Sequence, residues 1–147
     1  MIGEFKGEFY FLSNFYESDV TYGGITYRNN EAAFQAQKTT NKSIRMKFHQ
    51  LNPSDAKKLG RRVQLREDWE DIKEQIMYQI CRAKFEQNQE LRDKLIATGD
   101  VHLEEGNTWH DNEWGVCKCV NCQDVRGKNK LGKILMRVRS ELCTSSM

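Results

Sequence analysis

The sequence lacks the features that mark several classes of protein. It has one Pro and 10 Gly among 147 residues, which leaves no room for a long flexible linker. It contains no apolar run of the roughly 20 residues that a membrane-spanning helix needs. With 38% hydrophobic, 30% charged and 10% aromatic residues, it is too polar for a membrane protein and too aromatic for a disordered one. We therefore expect one globular domain over residues 1–147, with residues 143–147 frayed and no membrane partner.

A large excess of charge of one sign is also missing. Lys and Arg number 23 and Asp and Glu number 21, so the formal net charge is only +2. Such a balance gives no strong signal for binding a polyanion, although it does not exclude a local basic groove. One basic group is either a patch for a nucleic-acid strand or a solvated helix start: Arg126, Lys128, Lys130 and Lys133.

The cysteines indicate the redox state of the compartment in which the protein works. There are five, an odd number, and the first residues of the sequence contain no apolar segment of the kind that a secretory signal has. We therefore expect a cytoplasmic protein in a reducing setting, with thiols that are free or bound to metal. The thiols are those of Cys81, Cys117, Cys119, Cys122 and Cys143.

Local patterns predict an α+β fold, mainly helical, with a small antiparallel β-sheet. A sheet-like beginning is expected around the aromatic run 9–12. A hairpin is expected over 19–27, because Gly23-Gly24 supplies the positive φ angles of a two-residue turn. Asn30 is the expected N-cap of a first helix. Further helices are expected over 52–59, 68–87, 91–97 and 130–142, from caps and apolar positions at helical spacing.

The first of these helices carries an unusual set of side chains. Glu31, Phe34, Gln35 and Lys38 are spaced three or four residues apart and share one stripe. Across seven residues the carboxylate and the amine are separated by a rise of about 10 Å, so together they can hold one ligand from two sides. The alternative is a solvated face, in which Glu31 caps the helix and Lys38 points to water.

Polar side chains also lie between aromatics near the start of the chain. Residues 11–16 surround Ser13 and Asn14 with Phe and Tyr, including Phe15. This composition is typical of a loop that lines an apolar pocket and offers a few hydrogen-bonding groups. The segment therefore predicts a ligand-lining loop.

Two arginines follow a predicted helix end. Arg61 and Arg62 come directly after Gly60, where guanidinium groups are suited to grip phosphate or carboxylate, although solvated arginines are the common case. Trp69 opens the long helix. It is either a core residue at helical spacing or an exposed ring that stacks on a base or sugar.

A loop rich in Trp and acids follows residue 98. A carboxylate pair drawn from Glu31, Glu105 and Asp111 is suited to proton transfer and to stabilising a developing cation. The alternative is that Trp109 and Trp114 fill the core while Asp111 forms a turn. A pocket is expected between the Glu31 helix and the Trp114 loop.

Three thiols follow this loop within six residues. Cys117, Cys119 and Cys122 have a spacing that can wrap one Zn²⁺ if a fourth ligand arrives, for which His110 and Cys143 are the candidates. A closed structural site needs four protein ligands and the loop supplies three, so no metal and no cofactor is the expectation and zinc the alternative.

Several short motifs occur in a fixed order along the chain. They are FLSNF at 11–15, Glu31 with FQAQK at 34–38, LGRR at 59–62, Asp68-Trp69, Met77, Lys84-Phe85 with Asn88, Leu95 with Thr98-Gly99, Glu105, Asp111 with Trp114-Gly115, and Gly127 with Asn129, Leu131 and Gly132. No single piece is specific, but the ordered set from about residue 5 to 139 is. By this set the chain resembles the NADAR family, also called YbiA-like.

The resemblance implies an N-glycosidase without a cofactor. Family members are associated with removing ADP-ribose from the amino group of guanine, in nucleotides or in modified DNA or RNA. They are also associated with cleaving phosphoribosylamino intermediates of riboflavin synthesis. In either reaction we expect Glu31 to act as acid/base or cation stabiliser and Asp111 as the second carboxylate, with Lys38 contacting phosphate or forming a Schiff base. The expected substrate-binding residues are Ser13, Asn14, Phe15, Gln35, Arg61, Arg62, Trp69, Glu105, Trp114, Gly115 and Asn129.

Two functions of other classes remain open at the level of sequence. One is a binding module that recognises ADP-ribose or NAD without turning it over, which would need Arg, Asn and aromatics but no acid set. The other is a zinc-stabilised nucleic-acid-binding protein built on the thiol loop. The net charge of +2 argues against the second, because phosphate neutralisation usually requires a visible basic excess.

Overall fold

The computed structural model describes the backbone of residues 1–145 and the side chains of residues 1–144. The chain has an α+β fold, mainly helical, with a small antiparallel β-sheet, as the sequence predicts. It divides into two compact units. We call Asn14–Gln89 the hairpin unit, and Met1–Ser13 together with Glu90–Met147 the terminal unit.

The hairpin unit begins with the predicted β-hairpin. Strand β1 is Glu17–Tyr22 and strand β2 is Ile25–Asn29, paired antiparallel with Tyr22 opposite Ile25. The turn between them is Gly23-Gly24, with φ angles of 60° and 82°. Positive φ at both central residues matches the right-handed twist of the strands, which is why two glycines here fix the hairpin. Alternate residues of β2 are buried, so one face of the hairpin packs inward.

The first helix follows β2 without a loop. Helix α1 is Asn30–Ala36, and all seven of its residues are buried. Its N-cap is Asn29, whose side-chain oxygen accepts a hydrogen bond from Ala32 N at 2.7 Å. The predicted cap, Asn30, is therefore wrong by one residue, because Asn29 still has the extended backbone of the strand while Asn30 is already helical.

Three more helices complete the hairpin unit. Helix α2, Lys42–Met46, has no buried residue, so it lacks the apolar periodicity by which it would have been predicted. Helix α3, Pro53–Gly60, begins as predicted at an Asn-Pro cap, where the side chain of Asn52 accepts from Asp55 N at 2.8 Å. Helix α4, Trp69–Glu86, matches the predicted long helix and buries one face.

The terminal unit differs from the sequence prediction at its start. The aromatic run lies in a 3₁₀-helix, Gly7–Leu12, so the sheet-like beginning is wrong for this segment. The turn of this helix buries the adjacent side chains of Phe11 and Leu12 together, which an alternating strand does not do. The other elements of this unit are helix α5 (Gln89–Ala97), whose first residue belongs to the hairpin unit, strands β3 (Gly106–Asn107) and β4 (Val116–Cys117), a 3₁₀-turn (Val120–Cys122) and helix α6 (Lys130–Ser145).

Helix α6 anchors the terminal unit. Its buried side chains include Leu131, Leu135, Val138 and Leu142, which recur at helical spacing. It extends to Ser145, past the predicted end, and the last two residues of the predicted frayed end lie outside the described part of the chain. In the described residues no helix combines the length and the apolar character needed to cross a membrane.

Candidate functional site

The carboxylate of Glu31 lies inside the hairpin unit. Glu31 is only 8% exposed and lies on the first turn of α1. Its Oε1 accepts a hydrogen bond from Gln35 Nε2 at 2.8 Å, and its backbone N donates to the carbonyl of Asn14 at 3.1 Å. The alternative of a solvated Glu31 is therefore wrong. A buried carboxylate at a helix start, where the dipole favours negative charge, is a preorganised anionic group.

The side chain of Asn14 is committed to the protein interior. Its Nδ2 donates to Met77 Sδ at 3.4 Å, and its Oδ1 accepts from Asn30 Nδ2 at 3.3 Å. Together with its backbone bond to Glu31, these contacts make Asn14 a residue that positions the start of α1. The predicted contact between Asn14 and substrate stays a prediction.

Gln35 occupies a space that a glycine leaves open. A Cβ on Gly60 would lie 2.0 Å from Gln35 Oε1 and 2.8 Å from its Cδ, so α3 can approach α1 only because residue 60 has no side chain. Gln35 donates through Nε2 to Glu31, since an ionised carboxylate only accepts. Its Oε1 is buried without a hydrogen-bond partner within the described residues, which leaves an acceptor for a ligand N–H or O–H.

Lys38 follows the end of α1 rather than lying on the helix. Because α1 ends at Ala36, the predicted four-residue stripe is interrupted, although Lys38 N still donates to Gln35 O at 3.2 Å. Burial lowers the pKa of Lys38, and the charge of Arg61 lowers it further, while Glu31 acts in the opposite direction. The neutral, nucleophilic amine is thus more accessible at Lys38 than at an ordinary surface lysine.

Positively charged side chains act on this amine. Arg61 and Arg62 are exposed just beyond α3, and Lys57 on α3 places its Nζ 5.5 Å from the ring centroid of Phe15. The charges of Arg61 and Lys57 both contribute to the lowered pKa of Lys38. Their concentration in one region is suited to a phosphate group.

Trp69 occupies the core position that the sequence left as one alternative. It is 5% exposed, and its ring lies 5.0 Å from that of Phe34 at an interplanar angle of 52°. This tilted contact holds the ring of Phe34, the aromatic residue of the predicted stripe, in place. The other alternative, an exposed ring that stacks on a base or sugar, is therefore wrong for Trp69.

Lys84 on α4 is not among the predicted site residues, and it is only 1% exposed. Its Nζ lies 5.6 Å from the ring centroid of Tyr16 and 5.2 Å from that of Phe85. Burial lowers the pKa of Lys84 to about 8, against the opposing effect of Cys81. The sequence contained a signal for the burial of Lys84, because Lys84 follows Ile80 and Cys81 at helical spacing on the buried face of α4.

In the terminal unit, a buried asparagine organises the acidic loop. Asn107, at the end of β3, donates through Nδ2 to the carbonyl of Asp111 at 2.9 Å. Its Oδ1 accepts from the backbone N of Asp111 at 3.1 Å and of Trp109 at 3.3 Å. No pattern in the sequence marks Asn107, because its role depends on backbone groups that only the folded loop presents.

Asp111 forms a turn and retains a free oxygen. Its Oδ1 accepts from the backbone N of Glu113 at 3.1 Å and of Trp114 at 3.0 Å, which confirms the turn that the sequence offered as one alternative. Its Oδ2 makes no hydrogen bond to any of the described residues. A carboxylate with one oxygen fixed and one available is oriented for a ligand hydroxyl or a water.

Glu105 is held by two residues of the predicted binding set. A Cβ on Gly115 would lie 2.0 Å from Glu105 Oε2, so only glycine permits this carboxylate to approach β4. The Oδ1 of Asn129 accepts from Glu105 N at 3.0 Å, and its Nδ2 donates to the carbonyl of Leu103 at 2.9 Å. Asn129 thus positions Glu105, and the predicted substrate contacts of these three residues stay predictions.

The two tryptophans of the loop differ in exposure. Trp109 is 57% exposed, so the alternative that both rings fill the core is wrong. Trp114 is half-buried, and Lys130 Nζ lies 6.0 Å from its ring centroid. Lys130 also pairs with Glu113 at 2.5 Å, and this hydrogen bond, with help from Lys128, lowers the pKa of Glu113 to about 2.

Ser13 and the cysteines are the predicted residues that remain. Ser13 lies in the terminal unit, where its backbone N donates to the carbonyl of Tyr10 at 2.9 Å. Cys117, Cys119 and Cys122 lie together with His110, whereas Cys143 is exposed on α6 and is not one of this group. The hairpin unit thus brings together Glu31, Gln35 and Lys38, and the terminal unit brings together Glu105, Asp111 and Trp114.

The sequence and the fold are those of a known class. The sequence profile of the NADAR domain matches residues 3–143, across both units, and the chain belongs to the NADAR family.

Two known proteins are similar in sequence to most of this chain. It is 38% identical over 134 residues to the N-glycosidase YbiA of Escherichia coli, covering 89% of this chain and 80% of that protein. It is 39% identical over 137 residues to a riboflavin biosynthesis protein of Vibrio vulnificus, covering 90% of this chain but 35% of that longer protein. The NMR structure of E. coli YbiA superposes with a TM-score of 0.82 at 34% identity, over 99% of this chain and 89% of that one.

Proposed function

We propose that this NADAR-family chain is an N-glycosidase that hydrolyses the C–N bond between ribose and an amino group, with ADP-ribose on the amino group of guanine as its substrate. The N-glycosidase name of its relative in E. coli supports the reaction class. The observation that carries the proposal is the buried carboxylate of Glu31, hydrogen-bonded to Gln35 and coupled electrostatically to Lys38.

Glu31 supplies the electrostatic part of the reaction. As the C–N bond breaks, positive charge develops on the anomeric carbon and the ring oxygen. A carboxylate fixed in a region of low dielectric stabilises that charge without having to reorganise. The hydrogen bond from Gln35 holds one carboxylate oxygen in place.

Lys38 supplies a nucleophile in one version of the mechanism. An N-glycoside of an amine opens its ribose ring to an imine at the anomeric carbon. The neutral Nζ of Lys38 adds to that carbon, and a proton passes from Nζ to the amino group of guanine. That amine then leaves, and the sugar remains bound to Lys38 as a Schiff base. Water then adds to the new imine, which releases ADP-ribose and the free lysine. In the other version Lys38 keeps its proton and contacts phosphate.

The proposal also gives roles to the second carboxylate and to the binding residues. Asp111 orients a ribose hydroxyl or the attacking water through its free Oδ2. Arg61 and Arg62 hold the pyrophosphate through charge-assisted hydrogen bonds. Trp114 stacks on a base face, and Trp69 supports the binding set from the core through its contact with Phe34. The residues proposed to complete the binding set are Ser13, Asn14, Phe15, Gln35, Glu105, Gly115 and Asn129.

The test is a comparison of two substrates. Wild-type protein is incubated with an oligonucleotide carrying ADP-ribose on guanine and, separately, with a phosphoribosylaminopyrimidine, and released sugar is measured. The proposal predicts release of ADP-ribose from the oligonucleotide. Release from the pyrimidine alone would overturn the proposed substrate and favour the second candidate function, in which the enzyme acts on riboflavin intermediates.

That second candidate rests on one similarity, to the riboflavin biosynthesis protein of V. vulnificus. A third outcome, tight binding of ADP-ribose without release from either substrate, would contradict enzymatic function. It would instead indicate a binding module that recognises ADP-ribose.

A further inference from the structure

A second chemically active cluster lies in the terminal unit, and the proposed reaction does not use it. We call His110, Cys117, Cys119 and Cys122 the thiol cluster. Its four ligand atoms, one imidazole nitrogen and three sulfurs, all lie within 4.8 Å of one another. The imidazole Nδ1 lies 3.3 Å from Cys122 Sγ, 3.4 Å from Cys119 Sγ and 3.9 Å from Cys117 Sγ.

The three nitrogen–sulfur separations agree with those of a tetrahedral zinc site. With Zn–S near 2.3 Å and Zn–N near 2.05 Å, a tetrahedral angle places a nitrogen and a sulfur ligand about 3.6 Å apart. The three N–S distances of the thiol cluster, from 3.3 to 3.9 Å, fall on both sides of this value. One imidazole facing three sulfurs is a closed ligand set, with no position left open for water or substrate.

The surroundings of the cluster orient its ligands. Cys117 Sγ accepts a hydrogen bond from the backbone N of His110 at 3.3 Å, and the backbone of Cys119 makes another to the same sulfur. Such bonds stabilise a thiolate, the form that binds metal. Cys117 N donates to Asn112 Oδ1 at 2.9 Å, which fixes the start of the loop.

His110 adopts a backbone conformation that L-residues seldom take. Its φ is 68°, in the left-handed region, which costs of order 1 kcal/mol or more unless the surroundings require it. The bonds from Asn107 to the neighbouring residues Trp109 and Asp111 hold this conformation. In this conformation the Nδ1 of His110 lies within 3.9 Å of all three sulfurs.

We propose that the thiol cluster binds one Zn²⁺ as a structural ion. The ligand from position 110 and the ligands from 117–122 lie on either side of Asp111–Val116, so the ion would tie both ends of the segment that carries Asp111 and Trp114. Each cysteine proton is released to solvent on binding, and no step of the C–N cleavage passes through the metal. The proposal stands whatever the substrate of the enzyme is.

The first test is metal content and ligand type in the full chain. Protein purified with zinc present and freed of loose metal is expected to retain about one zinc per chain. After replacement by Co²⁺, the visible absorption of tetrahedral cobalt and a sulfur-to-cobalt charge-transfer band are expected. Cys119→Ser removes one thiolate of three and is expected to lower that band by about a third per bound cobalt, or to abolish binding.

The control is Cys143→Ser, which alters an exposed thiol outside the cluster. It is expected to keep the metal content and the cobalt spectrum of the wild type. Removal of zinc by a chelator is expected to lower the thermal midpoint of the wild type and of Cys143→Ser by about 5–15 °C, reversibly on adding zinc back.

Three results would overturn the proposal. Wild-type protein that holds well under a tenth of an equivalent of zinc after exposure to it would do so, and this result does not depend on any variant folding. A disulfide between two cluster cysteines under reducing purification, found by mass spectrometry, would also do so. So would equal loss of metal from Cys119→Ser and Cys143→Ser.

Discussion

The hairpin unit and the terminal unit hold their polar side chains in different ways. In the hairpin unit, Glu31 and Gln35 lie one turn apart on α1, so regular helix geometry sets their contact. In the terminal unit, Asp111 lies in a loop whose shape depends on the side chain of Asn107 and on its own turn. A site on a helix is stabilised by packing of that helix, whereas a site on a loop needs side-chain bonds of its own.

This difference predicts different responses to substitution. Changes at Lys38 and Gly60 should alter catalysis strongly, because the chemistry of the first group is concentrated there. Changes in the loop at Asn107 should act through stability, because its bonds maintain a backbone shape.

The largest effect is expected from Lys38. Its pKa is lowered by burial, so the neutral amine forms at a lower pH than for an ordinary lysine, and kcat should rise with pH through that lowered pKa and then level off. Lys38→Ala should lower kcat by about 10²–10⁴-fold. Borohydride added during turnover should trap the sugar on Lys38, which mass mapping of peptides would detect.

Two variants separate the two versions of the mechanism. Lys38→Arg keeps the positive charge but not the nucleophile, so it should be as inactive as Lys38→Ala if a Schiff base forms. Lys47→Ala, at an exposed lysine of the same unit, should leave the rate unchanged. Turnover without any adduct at Lys38, together with an active Lys38→Arg, would remove the Schiff base.

The next effect is expected from Gly60→Ala. The new methyl group would meet Gln35 Oε1 at 2.0 Å, so the Gln35 side chain must move and its bond to Glu31 is weakened. We expect a loss of about 1–3 kcal/mol of unfolding free energy, measured in urea, together with a fall in kcat.

A double variant tests that explanation. Adding Gln35→Ala to Gly60→Ala removes the clash, so stability should partly return while activity does not. Gly3→Ala is the matched control, because its nearest neighbour is the flexible end of Met1 at 3.4 Å. Independent, additive effects of the two substitutions on stability would contradict the proposed contact.

A smaller effect, on stability, is expected from Asn107→Ala. Three backbone groups of the loop lose their side-chain partner, and at a buried position this should cost about 1–3 kcal/mol in urea unfolding. The exposed Asn121→Ala serves as control and should change little. An Asn107→Ala protein as stable as wild type would show that the loop keeps its shape without Asn107.

The smallest effect is expected from Trp109→Ala. Because the ring is 57% exposed, its removal should change the unfolding free energy by no more than about 0.5 kcal/mol. A loss of stability several times that size would mean that the Trp109 ring is packed in the core of the folded protein.

The elements that the sequence predicted are those with local signals. Gly23-Gly24 fixes the hairpin, and Asn52-Pro53 fixes the start of α3, because each signal acts within a few residues. Helix α2 was missed because it buries nothing. The aromatic run 9–12 was misread because the sequence does not say which of its side chains the folded unit buries.

The candidate site follows the same rule. The pairing of Glu31 with Gln35 could be predicted from helical spacing alone. The space that Gly60 leaves for Gln35 joins residues far apart in the sequence, so spacing could not predict it. Nor could spacing choose between His110 and Cys143 beside the three thiols, because that choice depends on the folded loop.

The most direct test of the account is binding and release measured on the same Glu31→Gln protein. The substitution keeps the shape of the side chain and an oxygen that can accept from Gln35, but removes the negative charge. With the ADP-ribosylated oligonucleotide, we expect the Kd to stay within a few-fold of wild type while single-turnover release of ADP-ribose falls by about 10²–10³-fold. Glu67→Gln, at an exposed carboxylate, should behave as wild type. Release by Glu31→Gln within threefold of the wild-type rate would contradict the central role given to Glu31.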